Sequence, residues 1–204
     1  MKWVGLMSEQ QYEKLLNINT SGFQYGFPKL IDYHRYEPTP YEGLDQLFEQ
    51  FELPKTGRFV DMGCGKGRVP IYIHYLFKIP VVGIEMDQKF FVEAENNQEQ
   101  YFKKVSNRHI PIHFYHMKAE AYKVDPQDSM FFFFNPFSIH ILRKVMKNIF
   151  ASVEQNEREI YIILYYPSPE YMEYFTNELF AEVICEVKLQ PSKNFNERIV
   201  VFKC

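Results

Sequence analysis

The apolar residues of the 204-residue chain fall into two textures. Up to residue 54 they follow helical spacing in two places only. Ser8 with Gln11 forms a capping-box signature that predicts a short helix ending near Leu16. Leu44, Leu47, Phe48 and Phe51 recur at i, i+3, i+4 and i+7, which predicts an amphipathic helix from Tyr41. Residues 17 to 40 between them mix Asn, Thr, Gly and Pro with Phe23, Tyr25, Phe27, Tyr33 and Tyr36, and read as irregular. After Pro54, short apolar runs alternate with helical stripes. Strands are expected at 58–62, 81–85, 110–115, 129–134 and 159–165, with helices at 69–77, after Asp87, around Leu142 to Val153, and at 169–180. Two final strands cover 182–189 and 198–203, joined through Gln190 to Asn196.

Strands that alternate with helices of this length imply βαβ units and a mainly parallel sheet. Several strands are almost wholly apolar, as expected when helices cover both faces. The last two, with no helix between them, predict a terminal antiparallel hairpin. The fold class is therefore α/β, a Rossmann-like doubly wound sheet. Residues 1–40 are set apart as an aromatic-rich segment, a candidate lid, and 41–204 as the main domain.

Composition narrows the class little further. Hydrophobic residues make up 46% and charged residues 24%, which excludes a disordered or low-complexity chain. The net charge of −3 provides no global field for nucleic acid or anionic membrane. Cys64, Cys185 and Cys204 are too few and too scattered for a disulfide framework or a zinc ribbon. The first ten residues lack the apolar run of a signal peptide, and Met130 to Phe134 is far shorter than the ~20 residues that span a bilayer. A cytoplasmic location without membrane attachment is the expectation.

The strongest chemical signal is Val60-Asp61-Met62-Gly63-Cys64-Gly65-Lys66-Gly67-Arg68, between a strand and a helix. Three of the nine glycines lie within five residues here. Glycine lets a backbone lie close to a ligand, since no Cβ intervenes. The spacing is G-x-G-x-G, with Arg68 where a dinucleotide site wants its third glycine, and there is no Gly-Lys-Ser/Thr ending. A nucleotide-dependent oxidoreductase is thereby disfavoured.

This run resembles the first motif of the class I S-adenosylmethionine-dependent methyltransferases, in the form of small bacterial members. The resemblance covers about four-fifths of the chain, from residue 41 onward. It implies a seven-stranded sheet whose last strand is antiparallel, S-adenosyl-L-methionine as cofactor, and methyl transfer as the activity. It further implies that Asp61 acts near the cofactor's amino group, and that Gly63, Cys64 and Gly65 supply backbone against which the cofactor lies. Glu85 ends the second strand 22 residues after Gly63. A carboxylate at that place can accept from both ribose hydroxyls. Glu120 and Ala121 follow the third strand, where the family reaches the adenine amino group. Tyr36 and Thr39 are placed to line the cofactor or close over it.

Strand four ends in Phe134-Asn135-Pro136-Phe137. This resembles the Asn-Pro-Pro-Tyr/Phe motif of methyltransferases acting on planar amino nitrogens, with one proline fewer. Asn135, Pro136 and Phe137 are therefore the candidate catalytic residues, and a planar amino nitrogen is one candidate acceptor among other nitrogen, oxygen and carbon atoms. A small-molecule acceptor is favoured over nucleic acid or protein. Tyr165 and Tyr166 end strand five, where they could line the acceptor pocket. No separate base is identified, and His109, His113 and His116 lack metal spacing. His74 is expected to pack with Tyr72 and Tyr75, and His140 to lie at the surface. Lys103, Lys104, Arg108 and Lys118 are read as either a basic patch or an ordinary solvated face. The alternative function is a non-catalytic module that binds the same cofactor and regulates a partner.

Overall fold

A computed structural model describes residues 7–22, 32–106, 108–190, 194 and 196–204. Phe23, Tyr25 and Phe27 of the aromatic segment lie outside these residues. Helix α1 (Glu9–Leu16) starts at the expected capping box: Gln11 N–H donates to Ser8 Oγ at 3.3 Å, and Ser8 N–H to Gln11 Oε1 at 2.7 Å. It ends at Asn17, which takes the left-handed conformation (φ 59°) that Asn tolerates. The chain continues through α2 (Tyr41–Gln50), β1 (Arg58–Met62), α3 (Arg68–Phe77), β2 (Val81–Glu85), α4 (Gln88–Lys104), β3 (Ile112–His116), a 3-10 turn (Ala119–Ala121), β4 (Asp128–Phe133), α5 (Ile139–Gln155), β5 (Tyr161–Tyr165), α6 (Pro169–Glu173), β6 (Glu182–Lys188) and β7 (Arg198–Lys203).

The seven strands form one sheet in the order β3-β2-β1-β4-β5-β7-β6. The first five are parallel, and β7 runs antiparallel between β5 and β6. The expected hairpin is thus present. The all-apolar run in β4 has a direct cause. Met130 and Phe132 enter the core layer beneath α1–α4, while Phe131 and Phe133 enter the layer beneath α5 and α6. Period-two alternation sends successive rings to opposite faces, so both must be apolar.

Three details differ from expectation. The helix expected over 169–180 stops at Glu173 and widens into a π turn over Tyr174–Glu178, where Leu179 N–H donates to Tyr174 O at 3.0 Å. The wider turn carries two adjacent rings inward: Phe175 stacks on Phe202, and Tyr174 lies beneath Arg143. His74 is fully buried against Tyr101 and Phe102 rather than Tyr72 and Tyr75, bonded to the Tyr101 hydroxyl (2.8 Å) and the Ile110 carbonyl (3.2 Å). Of the two readings of the cations around Lys103 and Lys118, the single basic patch is not formed. Lys104 donates to the Lys14 carbonyl and Arg108 to that of Phe102, at the far end of α4, whereas Lys118 follows β3 at the opposite end of the sheet. Among the described residues no helix is long and apolar enough to cross a membrane. All three cysteines are free.

Candidate functional site

Strand order reverses beside β1, which has β2 on one side and β4 on the other. Connections diverge there and leave a crevice at the carboxyl ends of the strands. The crevice holds a cavity of about 370 Å3. Its floor is Asp61, Gly63 and Cys64 from the end of β1, with Glu85 and Met86 from the end of β2. Pro136 and Phe134 close one side, and residues 33–39 form a strap over it.

The glycine turn is shaped by its neighbours. Gly63 (φ 96°) and Gly65 (φ 52°) both take positive φ. A Cβ on Gly63 would meet the Pro136 ring at 2.7 Å, and one on Gly65 the Tyr36 ring at 2.2 Å. The turn therefore touches both the strap and the segment after β4. Glu85 holds it in place: Gly65 N–H donates to Oε2 at 2.9 Å and Asp87 N–H to Oε1 at 2.7 Å. Each oxygen keeps a second acceptor position. Burial pushes the Glu85 carboxyl up from its ordinary value, and these backbone donors pull it back.

Asp61 is 3% exposed, lines the cavity, and makes no hydrogen bond to a described residue. Burial, and then the Glu85 charge, hold its carboxyl well above the usual range. Cys64 beside it is also buried. Burial and the two carboxyls push its thiol up, which keeps it protonated and unreactive.

The strap is fastened at both ends. At one, the backbone pairs with the segment after β4: His34 N–H donates to Pro136 O (3.0 Å), Ser138 N–H to Asp32 O (2.8 Å), and Tyr33 bridges Phe137. His34 Nδ1 also lies 2.6 Å from the Asn135 carbonyl. A carbonyl only accepts, so Nδ1 carries the proton. At the other end stands Arg68, 4% exposed. Its guanidinium binds Thr20 Oγ1 (2.6 Å), the Thr39 carbonyl (2.9 Å), Glu13 (3.3 Å) and Glu9, over the face of Tyr41. The residue that broke the dinucleotide pattern thus ties α1 and the strap to the first turn of α3. Tyr36 lies between the two fastenings, packed on Phe90 with its hydroxyl donating to Thr20 O at 2.6 Å.

Asn135 has a left-handed backbone (φ 40°), and its Oδ1 is buried with no partner among the described residues. It does not bond its own turn, which is the usual role of an Asn before Pro. Phe137 is buried, edge-on to Phe133 and Tyr33, and does not line the cavity. Glu120 and Ala121 also stand outside the lining. Glu120 Oε2 accepts from the Tyr33 hydroxyl at 2.6 Å, behind the strap. Thus Asp61, Gly63, Cys64, Glu85, Tyr36, Thr39 and Pro136 converge on one cavity, with Gly65 under Tyr36 and Asn135 beside Pro136. Sequence reasoning missed Arg68 and His34, because their partners are distant in the chain.

A second cavity, of about 470 Å3, shares Glu37, Pro38 and Phe134 with the first. Tyr165 and Tyr166 line it, as do Glu42 and Glu197, and among the described residues no lysine or arginine does. The carboxylates of Glu37, Glu42 and Glu197 make no hydrogen bond or ion pair with a described residue. Burial, followed by Glu197, Glu9 and Glu42, raises the Tyr165 phenol, so it stays protonated.

No protein-family profile and no curated protein sequence matches the chain. Solved structures do. An RNA methyltransferase from Salinibacter ruber, in complex with S-adenosyl-L-homocysteine, superposes with a TM-score of 0.59 at 17% identity, over 82% of this chain and 92% of that one. The chain has the class I S-adenosylmethionine-dependent methyltransferase fold. The human methyltransferase 10 domain containing protein gives 0.58 at 12% identity, over 95% and 92%. The m1A22 tRNA methyltransferase of B. subtilis gives 0.53 at 12%, over 79% and 64%. These neighbours correct one expectation from the sequence. Net charge favoured a small-molecule acceptor over nucleic acid, yet RNA and tRNA methyltransferases are among the solved structures that the chain resembles. Net charge is a sum over the whole surface and says nothing of local charge.

Proposed function

We propose that the protein is an S-adenosylmethionine-dependent methyltransferase whose acceptor is a base nitrogen of RNA. The observation that carries the cofactor is Asp61. A carboxyl so deeply buried without a partner is costly unless a donor comes to meet it. The amino group of the cofactor is such a donor, and the pair is strong where water is limited. The remaining groups fit the same ligand. Glu85 has an acceptor position free on each oxygen for the ribose hydroxyls. Gly63 and Cys64 line the cavity from the glycine turn, and Tyr36 and Thr39 cover it. The adenine end falls to Met86 and His116, which line the cavity, with Glu120 and Ala121 standing behind through Tyr33. When bound, the cofactor supplies an electrophilic methyl group.

The acceptor reading rests on the second cavity and Asn135. Among the described residues the cavity has tyrosine rings, three carboxylates without a partner and no lysine or arginine, a lining that disfavours phosphate and suits a planar base with N–H donors. Asn135 lines neither cavity, but its Oδ1, next to Pro136 in the chain and without a partner among the described residues, is the acceptor available to one of those N–H groups. Holding the amino group so that its lone pair faces the methyl is alignment, which supplies much of the rate in such transfers. Residues 32–40 act as the lid, and 41–204 as the catalytic domain.

The test is calorimetry with S-adenosylmethionine, S-adenosylhomocysteine and NAD, followed by transfer of radiolabelled methyl to bulk bacterial RNA. Binding of the two adenosyl ligands but not NAD, with label in RNA nucleosides, is expected. Cofactor binding with no label in RNA, protein or metabolites would instead make it a non-catalytic regulatory module.

A further inference from the structure

The cavities are acidic and the chain is net negative, yet an RNA acceptor must lay phosphates somewhere. The surface beside the cavity is not acidic. From its first residue α5 carries His140, Arg143, Lys144 and Lys147, and meets no acidic side chain until Glu154. Residues 118–124, which leave the end of β3, run alongside it. Asn148 Nδ2 donates to the Glu120 carbonyl at 2.8 Å, and Ser152 Oγ to that of Val124 at 3.3 Å. Both bonds span 28 residues, so the two segments advance side by side in step. This register brings Lys118 next to the helical turn that holds Lys144 and Lys147, and places Lys123 further along the same seam.

All four lysines are exposed, and none forms an ion pair or hydrogen bond with a described residue. Arg143 is held bidentate by Glu178, and the Glu120 carboxylate is turned toward the Tyr33 hydroxyl, from which it accepts. The seam is therefore a row of exposed cations that starts just after His116, a residue lining the first cavity. The cations at Lys103 and Lys104 stand at the other end of α4, about 25 Å away at 1.5 Å per residue.

We propose that Lys118, Lys123, Lys144 and Lys147 form the track for the RNA phosphate backbone, leading a single strand along α5 toward the carboxyl ends of the strands, where the two cavities meet at Glu37, Pro38 and Phe134. Charge separation gives the site its polarity. Phosphates are drawn to the lysines and repelled from Glu37, Glu42 and Glu197, so only the base end of a nucleotide is welcome in the second cavity. The proposal rests on the reading of RNA as acceptor.

The test uses a fluorescent single-stranded RNA of mixed sequence. Its affinity is followed by anisotropy across potassium chloride concentrations, for the full chain and for the fourfold Lys118→Gln/Lys123→Gln/Lys144→Gln/Lys147→Gln variant. Single strands release about 0.7 counterion per neutralised phosphate, so the log–log salt slope should fall by about 2 to 3 in the fourfold variant. Lys103→Gln/Lys104→Gln should leave the slope unchanged. Binding of S-adenosylhomocysteine should be the same in all three, which shows that each is folded. If the unaltered protein binds RNA and the fourfold variant binds it with the same slope, the track is wrong and the RNA reading stands. If the unaltered protein binds the cofactor product but no RNA at low salt, the RNA reading fails and takes the track with it.

Discussion

Asp61 and Glu85 end neighbouring parallel strands and face one cavity, but only Glu85 is hydrogen-bonded, through Gly65 and Asp87. Both are buried, and each carboxyl is raised by burial. One is thus built into the fold, and the other waits for a donor.

Asp61→Asn separates stability from binding. The folded carboxyl takes up a proton more readily than the unfolded one. Its contribution to stability therefore falls as pH rises above the ordinary carboxylate value. The amide carries no such cost. At neutral pH, Asp61→Asn should melt higher than the unaltered chain, with the difference shrinking in acid. Cofactor affinity should drop about 10- to 100-fold, the scale of a lost charge-assisted bond. A lower melting temperature at neutral pH contradicts the assignment.

Glu85→Ala removes both the ribose acceptor and the Gly65 anchor. Binding of S-adenosylhomocysteine should weaken by roughly 1–3 kcal/mol while the circular dichroism spectrum is preserved. An unchanged dissociation constant in a folded variant takes Glu85 out of the site.

Gly65→Ala forces a Cβ against the Tyr36 ring on a left-handed backbone. The backbone part costs ~1–2 kcal/mol. Urea unfolding of the Gly65→Ala/Tyr36→Ala pair should recover the steric part of the loss and not the backbone part. Simple additivity of the two single changes means that the ring does not rest on the turn.

Asn135→Ala should lower turnover about 100-fold or more at saturating cofactor, taking ~3 kcal/mol for a lost transition-state hydrogen bond. Cofactor affinity should hardly move, because Oδ1 has no partner among the described residues. Loss of cofactor binding with turnover intact would show that Asn135 shapes the pocket instead.

His74 sets a limit in acid. Burial lowers its pKa from 6.5 to about 4, partly opposed by the bond to Ile110 O. Between these values the unfolded chain binds the extra proton and the folded one does not. Stability is therefore full above about pH 6.5 and is lost as pH falls toward 4. Melting curves should show this slope, and His74→Gln should flatten it.

The sequence was legible where chemistry and periodicity coincide locally. The glycine turn, the acidic residue ending β2 and the paired rings of β4 each declare themselves within ten residues. What stayed hidden is long-range. Nothing near Arg68 announces that Glu9, Glu13 and Thr20 will surround it, some fifty residues away. The family resemblance makes Glu120 an adenine contact, and its actual partner, Tyr33, lies 87 residues earlier. Lys118 was grouped with Lys103 and Lys104 by closeness in sequence, while the length of α4 and the crossing of β3 carry it to the other end of the sheet. The π turn was invisible because two inward rings in succession suit a buried helix equally well.

The fastening between the strap and the segment after β4 is written mostly in main-chain atoms: His34 N–H to Pro136 O, and Ser138 N–H to Asp32 O. Main-chain bonds are indifferent to side-chain identity, proline at a donor position excepted. Mutation can therefore repaint positions 32 and 138 without undoing the closure, while the buried ring of Phe137 stays fixed by packing. Drift toward a new acceptor can proceed on the very loops that touch it, with the cofactor chamber kept shut throughout.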